Sequence, residues 1–259
     1  MAARRWLRSG SQSSPGRLHV TPIDITLLLT RPRPAAIRFA AELEAATGPF
    51  AAAVISPLLD IVPSGSFPRV SAEAALAFTS ENAVAIAAAR LAPAGRRAWC
   101  VGSRTAEAAQ AAGFDAVAAG GDADALVAML LAERPAGEIV HLAGAHQRGE
   151  LVERLAAAGL TARRSVIYDQ APVPPTAEAL AALGGPRPVL LPLFSPRSAA
   201  LAGAMAEGAE APLLLAALSS AVARGWAGPT PMALATASRP GSEAMIDAIS
   251  SLLAAAPGA

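Results

Sequence analysis

The sequence predicts an α/β fold in which parallel β-strands are covered by helices. Short apolar runs alternate with longer helical patterns along most of the chain, which is the order that β-α-β units produce. The pattern of the first half recurs in the second half at a nearly constant distance. Two Pro-containing segments interrupt the alternation, at 51–70 and 162–175. Together these three observations indicate two related parallel-sheet domains.

Eight apolar runs are the predicted strands. They are rich in Leu, Val, Ile and Ala, as expected for strands that are buried on both faces of a parallel sheet. They span 25–29, 74–78, 98–101, 115–119, 138–142, 188–194, 212–218 and 231–235. A helical pattern follows each run. Four of these helices are predicted to end at a Gly just past the last turn: Gly48, Gly113, Gly159 and Gly228.

The repeat relates two copies of one pattern of four units. The stretch FTSENAVAI, which contains Ser80, resembles LFSPRSAAL, which contains Ser195, at an offset of 115 residues. The same offset matches Thr105 to Ser220. Each match is weak alone, but matches that share nearly one offset predict two similar domains.

The two interrupting segments have a common form. Each begins with a β-like run, AAAVI in the first and RRSVIY in the second, and continues into a Pro-rich stretch. Pro is disfavoured inside a sheet, so both segments are interpreted as strands that lead into linkers rather than as core strands. Two such crossings suggest a chain that leaves one domain and later returns to it.

Composition and charge argue against several classes of protein. No apolar run approaches the ~18 residues that a membrane-spanning helix needs. All 21 basic residues are Arg. Four of them lie in residues 1–22. This Arg- and Ser-rich stretch lacks the apolar region of a secretory signal, so we expect a disordered tail rather than a signal peptide. The other 17 Arg face 20 acidic residues, a balance near −3 that disfavours nucleic-acid binding. We therefore expect a cytoplasmic protein.

Polar turns follow most of the predicted strands. They span 30–34, 79–82, 102–105, 143–148, 195–198 and 218–220. In a parallel sheet such turns lie at the carboxyl edge, where helix N-termini offer free N–H groups and a dipole that favours anions. Ser, Thr and Asn are also ordinary helix caps, so capping alone explains any single turn. Arg in several of the turns favours a cleft for an anionic ligand, lined by both domains.

Common catalytic motifs are absent from the sequence. There is no nucleophile elbow, phosphate loop, dinucleotide fingerprint or zinc-protease helix motif. His141 and His146 flank a turn with poor spacing for a metal pair, so no metal is expected. Cys100, the only Cys, lies in an apolar run and is predicted to be a buried structural thiol. Tyr168, the only Tyr, lies in a crossing segment, where packing and chemical roles both remain open.

Seven short motifs, taken in order, resemble the uroporphyrinogen-III synthase family over about residues 25–255. They are LLLTRPRP, FTSENAV, CVGSRTAEAAQAAG, LAGAHQRGELVERLAAAGL, VIYDQ, LFSPRSA and MALATASRPGSEAMI. The resemblance implies two flavodoxin-like parallel-sheet domains joined by a two-stranded β connector, with the N-terminal unit packing against the C-terminal third. The implied domain 1 is 23–50 plus 173–256, the connector strands and linkers are 51–70 and 163–172, and domain 2 is 71–162.

The resemblance also implies a function, that of a lyase. The expected reaction closes the linear tetrapyrrole hydroxymethylbilane to uroporphyrinogen III, with inversion of ring D and loss of water. It implies no cofactor, no metal and a monomer, and it leaves open a handover of substrate from hydroxymethylbilane synthase. Two alternatives remain: a non-catalytic two-lobed protein that binds a tetrapyrrole or other polycarboxylate, and a flavodoxin-like nucleotide binder, which would need a turn richer in Gly than any here.

Family positions can be carried over to this chain residue by residue. Tyr168, in VIYDQ, is the expected catalytic residue, assisting departure of the substrate hydroxyl. The expected substrate-binding residues are Thr30, Arg31, Ser80, Asn82, Thr105, Gly144, Arg148, Ser195, Arg197 and Ser220. Two departures weaken the carry-over. Ala143 precedes Gly144 where the family often has Arg, and Ser220 stands in a turn that lacks the family's Gly and Thr.

Overall fold

A computed structural model describes residues 22–64, 67–146 and 150–255. In chain order the elements are β1 (Thr26–Leu29), α1 (Arg33–Thr47), β2 (Ala52–Ile55), β3 (Leu59–Pro63), β4 (Ala75–Phe78), α2 (Glu81–Ala88), β5 (Arg97–Cys100), α3 (Ser103–Ala111), β6 (Asp115–Ala118), α4 (Ala123–Glu133), β7 (Ile139–Gly144), α5 (Leu151–Ala157), β8 (Ala162–Pro172), α6 (Ala177–Leu183), β9 (Val189–Leu193), α7 (Pro196–Met205), β10 (Leu213–Ala217), α8 (Ser220–Ala223), β11 (Ala233–Thr236) and α9 (Ser242–Ala255). All eight predicted core strands are confirmed. β2 and β8 are the strands predicted at the start of the two crossing segments, and β3 is an additional strand.

The chain divides into two compact units. Unit 2 is one continuous stretch, Leu59–Pro172, whereas unit 1 combines the chain up to Leu58 with the chain from Val173 onward. Each unit has its own sheet, and parallel pairing dominates both sheets. The predicted α/β fold is therefore confirmed.

Unit 1 contains a five-stranded parallel sheet in the order β11-β10-β9-β1-β2. The pairing of β1 with β9 joins the N-terminal part of the chain to its C-terminal third, as the family resemblance implied. Every residue of β1, β9 and β10 is buried, because helices cover both faces of the sheet. One face packs Leu27 and Leu29 against Phe39, and the other contains Leu28 and Leu191.

Unit 2 contains a six-stranded sheet in the order β3-β8-β7-β4-β5-β6. Its strands are parallel except for β3, an edge strand that pairs antiparallel with β8. One face carries an apolar cluster that includes Phe78, Phe114 and Tyr168. The other face packs Trp99 and Ile139 with residues of α4 and α5. The order β7-β4-β5 brings the carboxyl ends of three strands side by side.

The two crossing segments were interpreted as strands that lead into linkers, and their exclusion from the core sheets needs correction. Ala52–Ile55, assigned to the connector, is an edge strand of unit 1 that pairs with β1 along its length. β8 pairs with a neighbour on each side in the sheet of unit 2. Pro57 lies beyond β2, while Pro63 and Pro172 are the last residues of β3 and β8, so none of these Pro residues interrupts a strand interior.

Three of the four predicted helix-ending glycines are confirmed. Gly48, Gly113 and Gly159 have φ values of 90°, 93° and 80°, a left-handed region that Gly enters without steric cost. The prediction for Gly228 is wrong, because α8 ends at Ala223. Gly228 instead lies against Gly203 of α7, where an added Cβ would come within 2.7 Å of the Gly203 carbonyl oxygen.

The N-terminal tail predicted at 1–22 lies outside the described residues except for Pro22, which begins a 3₁₀ turn, Pro22–Asp24. Among the helices of the described ranges, none combines the length and the apolar character needed to cross a membrane.

Candidate functional site

A polar pocket of about 200 Å³ opens at the carboxyl edge of the unit 2 sheet. Thr79 and Ser80 follow β4, and Gly144 ends β7. The remaining wall comes from a loop residue and from β8. Among the described residues, the lining consists of Thr79, Ser80, Gly144, His146, Tyr168 and Gln170. The pocket therefore brings together three predicted site residues, Ser80, Gly144 and Tyr168.

Tyr168 is the principal titratable side chain of this pocket. It lies on β8, is only 5% exposed and packs in the apolar cluster of unit 2. Burial raises the pKa of its phenol, because the phenolate is poorly solvated there, while a side-chain hydrogen bond with Ser80 acts in the opposite direction. The phenol is consequently protonated at neutral pH and can act as a proton donor.

Gly144 makes room for the Tyr168 ring. A Cβ at position 144 would lie 2.6 Å from the Tyr168 Cζ atom and 2.9 Å from its hydroxyl oxygen, closer than real Cβ contacts come. The pairing of β7 with β8 shifts register between Ala143 and Gly144, so that Gly144 lies opposite Tyr168. The Ala145 N–H then donates to the Tyr168 carbonyl at 2.9 Å. The missing side chain at Gly144 is thus what allows the ring to occupy this position.

Ser80 serves both a helix and the pocket. Its backbone is extended, with φ −155° and ψ 138°, and its hydroxyl accepts a hydrogen bond from the Asn82 N–H at 3.2 Å, which caps α2. The same hydroxyl hydrogen-bonds with Tyr168. Asn82 contributes its backbone to the cap but does not line the pocket.

Three pocket residues were not among the predicted site residues. Thr79 Oγ1 lies 3.2 Å from Nε2 of His141, a histidine of β7 that is 4% exposed. At the rim, His146 Nε2 lies 3.0 Å from Asp169 Oδ1, with both side chains half exposed. Gln170 follows on β8. Thr79 adjoins Ser80, and Gln170 belongs to the VIYDQ motif, so both could have been found as neighbours of predicted residues.

Two further predicted site residues belong to unit 2. Thr105 is buried in the first turn of α3 and is not part of the pocket lining. Arg148 lies outside the described residues. In the described ranges, no three His, Cys, Asp or Glu side chains cluster in a way that could hold a metal ion.

Five predicted residues lie in unit 1, at the carboxyl edge of its own sheet. They follow three adjacent strands, β1, β9 and β10. Thr30 is buried, and the Arg31 guanidinium lies over the Phe194 ring, 4.1 Å from its centroid. Ser195 caps α7 through a reciprocal pair of hydrogen bonds with Ser198. Arg197 is half-buried in the first turn of α7.

Ser220, the fifth, differs from the position to which the repeat matched it. Thr105 is the third residue of α3 and is buried, whereas Ser220 is the first residue of α8 and is exposed. Its neighbour Ser219 caps α8 instead, accepting from the Val222 N–H at 3.3 Å. The repeat aligned the sequences but not the helix starts, because α3 begins at Ser103, two residues before Thr105, whereas α8 begins at Ser220 itself.

Comparison with known proteins gives a family. A model of the family described as uroporphyrinogen-III synthase HemD matches residues 38–247. Among solved structures, a uroporphyrinogen-III synthetase from Helicobacter pylori is similar at 16% identity, with a TM-score of 0.61 over 88% of this chain and 99% of that chain. A mutant uroporphyrinogen III synthase from Thermus thermophilus covers 89% and 99% at 15% identity, with a TM-score of 0.43. No curated protein sequence matches significantly. The Helicobacter likeness supports the fold.

Proposed function

The chain belongs to the uroporphyrinogen-III synthase family, whose model matches residues 38–247, and from this membership we propose that it is a lyase that closes hydroxymethylbilane to uroporphyrinogen III. The reaction inverts ring D and releases water. The observation that carries the proposal is the pocket in which a buried, protonated Tyr168 contacts Ser80 and packs against Gly144.

Tyr168 acts as the proton donor for the departing hydroxyl. The pyrrole nitrogen of the hydroxymethyl-bearing ring pushes its electron pair toward the exocyclic carbon, and the C–O bond breaks. The phenol gives its proton to the leaving oxygen, which departs as water and leaves a protonated azafulvene with its positive charge on the pyrrole nitrogen. Because burial raises the phenol pKa, the phenolate that forms is a strong base and readily regains a proton when ring closure releases one.

The pocket would hold one end of the substrate. Its volume of about 200 Å³ is below the range of about 300–1,000 Å³ that is typical for drug-sized ligands, so it suits a single substituted pyrrole rather than four. The next steps, attack on the azafulvene to form a spiro intermediate and reopening with ring D inverted, need correct orientation of the two ends more than a further catalytic group. Orientation alone can supply a large part of such a rate enhancement.

The substrate carboxylates need cationic or N–H partners. We expect Thr30, Arg31, Ser195, Arg197 and Ser220 to supply such contacts from the carboxyl edge of the unit 1 sheet. In unit 2 the same role is expected of Asn82, Thr105 and Arg148. Hydroxyls and helix N-termini bind carboxylates through the same groups that cap the helices.

Incubation with freshly prepared hydroxymethylbilane tests the proposed function. Uroporphyrinogen III is expected as the main product, separated from isomer I by chromatography after oxidation to the porphyrins. A parallel incubation without protein gives the spontaneous background of isomer I. If isomer I alone forms in the presence of the protein, the lyase assignment is wrong. Tight binding of the linear tetrapyrrole in calorimetry, without isomer III, would then support the alternative of a non-catalytic binding protein.

A further inference from the structure

His141 is a buried ionisable residue that the proposed reaction does not use. It lies on β7, directly beside Ala77 of β4, and is 4% exposed. Alternation along the strand places it on the same face as Ile139, which packs with Leu151 and Leu155 of α5. A polar ring in such an apolar layer is costly to bury unless it has a hydrogen-bond partner.

The partner of His141 belongs to the pocket. Nε2 lies 3.2 Å from the Thr79 hydroxyl oxygen, and Thr79 is a lining residue adjacent to Ser80. Thr is branched at Cβ, so a rotation about χ1 exchanges the hydroxyl for the methyl or the hydrogen. The contact with His141 favours a rotamer in which the hydroxyl points to the ring. It thereby constrains which group of Thr79 faces the pocket.

We propose that His141 is a positioning residue for the reaction: by holding Thr79 in one rotamer at the end of β4, it fixes the wall against which the reacting pyrrole of the bound tetrapyrrole lies. This inference rests on the proposed function. The ring is well suited to the role because burial, together with the positive charge of Arg164, lowers its pKa to about 4. It is consequently a neutral partner for Thr79 throughout the physiological pH range.

Two substitutions at His141 separate positioning from packing. His141→Leu keeps an apolar side chain of similar size but removes the hydrogen bond, whereas the amide of His141→Gln can still reach the Thr79 hydroxyl. We expect kcat for isomer III formation to fall about tenfold in the Leu variant, the loss that corresponds to about 1.4 kcal/mol, with KM little changed. The Gln variant is expected to retain most of the wild-type kcat.

A double-mutant cycle with Thr79→Val tests the route. If His141 acts through Thr79, the variant with both His141→Leu and Thr79→Val is expected to be no slower than Thr79→Val alone. If the loss of kcat in the double variant equals the product of the losses in the two single variants, the proposal is overturned. It is also overturned if His141→Leu lowers the thermal midpoint but leaves kcat unchanged. Should the Leu variant not fold, an unchanged kcat in Thr79→Val would overturn it.

Assays of the wild-type protein distinguish a failure of this role from a failure of the proposed function. Wild-type turnover to isomer III together with unaffected His141 variants would refute the role of His141 and leave the proposed function standing. A wild-type protein that yields no isomer III would overturn both.

Discussion

Tyr168 has three properties that bear on its proposed role as proton donor. It is buried, its phenol pKa is raised, and its hydroxyl reaches the polar edge of the sheet through Ser80. It is the only Tyr among 259 residues. Its titration can therefore be measured without a signal from another tyrosine, and Tyr168→Phe removes every phenol from the protein.

Replacing the phenol tests the proton-donor role. Tyr168→Phe retains the ring against Gly144 but removes the hydroxyl, so kcat is expected to fall by about 100-fold or more while KM changes little. Initial rates of isomer III formation over a range of substrate concentrations measure both constants. A kcat equal to that of the wild type would remove Tyr168 from the mechanism.

His141 makes the free energy of unfolding depend on pH. Its pKa is lowered from 6.5 to about 4 by burial and by Arg164 of β8, against a smaller opposing effect of Glu153 of α5. Between these values the unfolded chain binds more protons than the folded one, so stability is complete above pH 6.5 and is lost as the pH falls toward 4. The full shift corresponds to about 3 kcal/mol.

Denaturant unfolding at several pH values between about 4 and 7 measures this dependence. The His141→Gln variant is the control, because it lacks the titrating ring but shares every other ionisable group. The difference in unfolding free energy between the wild type and the variant is expected to change with pH in this range. A difference that stays constant would contradict the buried, neutral state of His141.

At the scale of single elements, the end of β7 determines where the Tyr168 ring lies. The register shift at Ala143 and Gly144 and the bare backbone of Gly144 act together. Helix starts are the other decisive local feature, since Ser80 and Ser195 cap α2 and α7 with the same groups that are proposed to meet the substrate.

Gly144→Ala is expected to displace the Tyr168 ring, because the new Cβ would lie 2.6 Å from Cζ. The expected cost is about 1–3 kcal/mol of stability, together with a lower kcat. A displaced phenol gains water, so its pKa should fall toward the usual tyrosine value. Tyrosinate absorbance after rapid pH jumps reports this pKa for Tyr168 alone.

Gly184→Ala is the matched control for that substitution. Gly184 has φ −84°, which any residue adopts, and an added Cβ would make an ordinary 3.5 Å contact. It should leave kcat and the tyrosinate titration unchanged. If Gly144→Ala also leaves the Tyr168 titration unchanged, the packing account of Gly144 is wrong.

Ser195 allows capping and carboxylate binding to be separated. Ser195→Ala is expected to lower stability by about 1 kcal/mol through loss of the cap. Ser195→Asp keeps a good cap and a favourable charge at the helix N-terminus but repels a carboxylate. We expect near wild-type stability and a KM raised about fivefold, which corresponds to roughly 1 kcal/mol of repulsion. An unchanged KM in Ser195→Asp would assign Ser195 to capping alone.

At the scale of the whole molecule, the two units differ in how the chain builds them. Unit 2 is continuous and has an apolar cluster on each face of its sheet. Unit 1 is discontinuous, and its strand β1 pairs with β9 from the far part of the chain. Leu59–Pro172 therefore contains its complete sheet, whereas the segment up to Leu58 lacks the neighbours of β1 on one side.

We expect a fragment of residues 59–172 to fold by itself with a cooperative thermal transition. A fragment of residues 1–58 is the contrasting control and is expected to show no transition, since β9 and β10 are missing. Circular dichroism during heating distinguishes the two. A fragment 59–172 that melts without cooperativity would contradict the independence of the unit 2 core.

Much of the fold was predictable because parallel strands covered on both faces must be continuous apolar runs. The eight runs predicted in this way are all strands. β2 was interpreted as a strand that leads into a linker because a Pro-rich stretch follows its short run. In the structure it is an edge strand of unit 1. Its place in that sheet comes from pairing with β1, a partner that its own short pattern does not reveal.

The candidate site, like the fold, was predictable from the sequence only in part. Polar residues after a strand predicted Ser80 as a cap and a site residue, and a family motif predicted Tyr168. His141 was not predicted as a site residue, because the contact that gives it a role is with Thr79, 62 residues earlier in the chain. Ser220 was matched to Thr105 by sequence, yet it is the first residue of α8 and is exposed, whereas Thr105 is buried within α3.

The sequence by itself determined the alternation of strands and helices, the caps Ser80 and Ser195 and the family, since each depends on local residue pattern or on motif order. Only the tertiary structure decided which strands are neighbours and therefore which side chains meet. Tyr168 contacts Ser80 and Gly144 because β7 lies between β4 and β8 and the register shifts at Gly144. Such contacts depend on pairing between segments that are distant in the chain. Burial and backbone geometry, rather than the local secondary-structure preference of the residues, determine the free energy of that pairing.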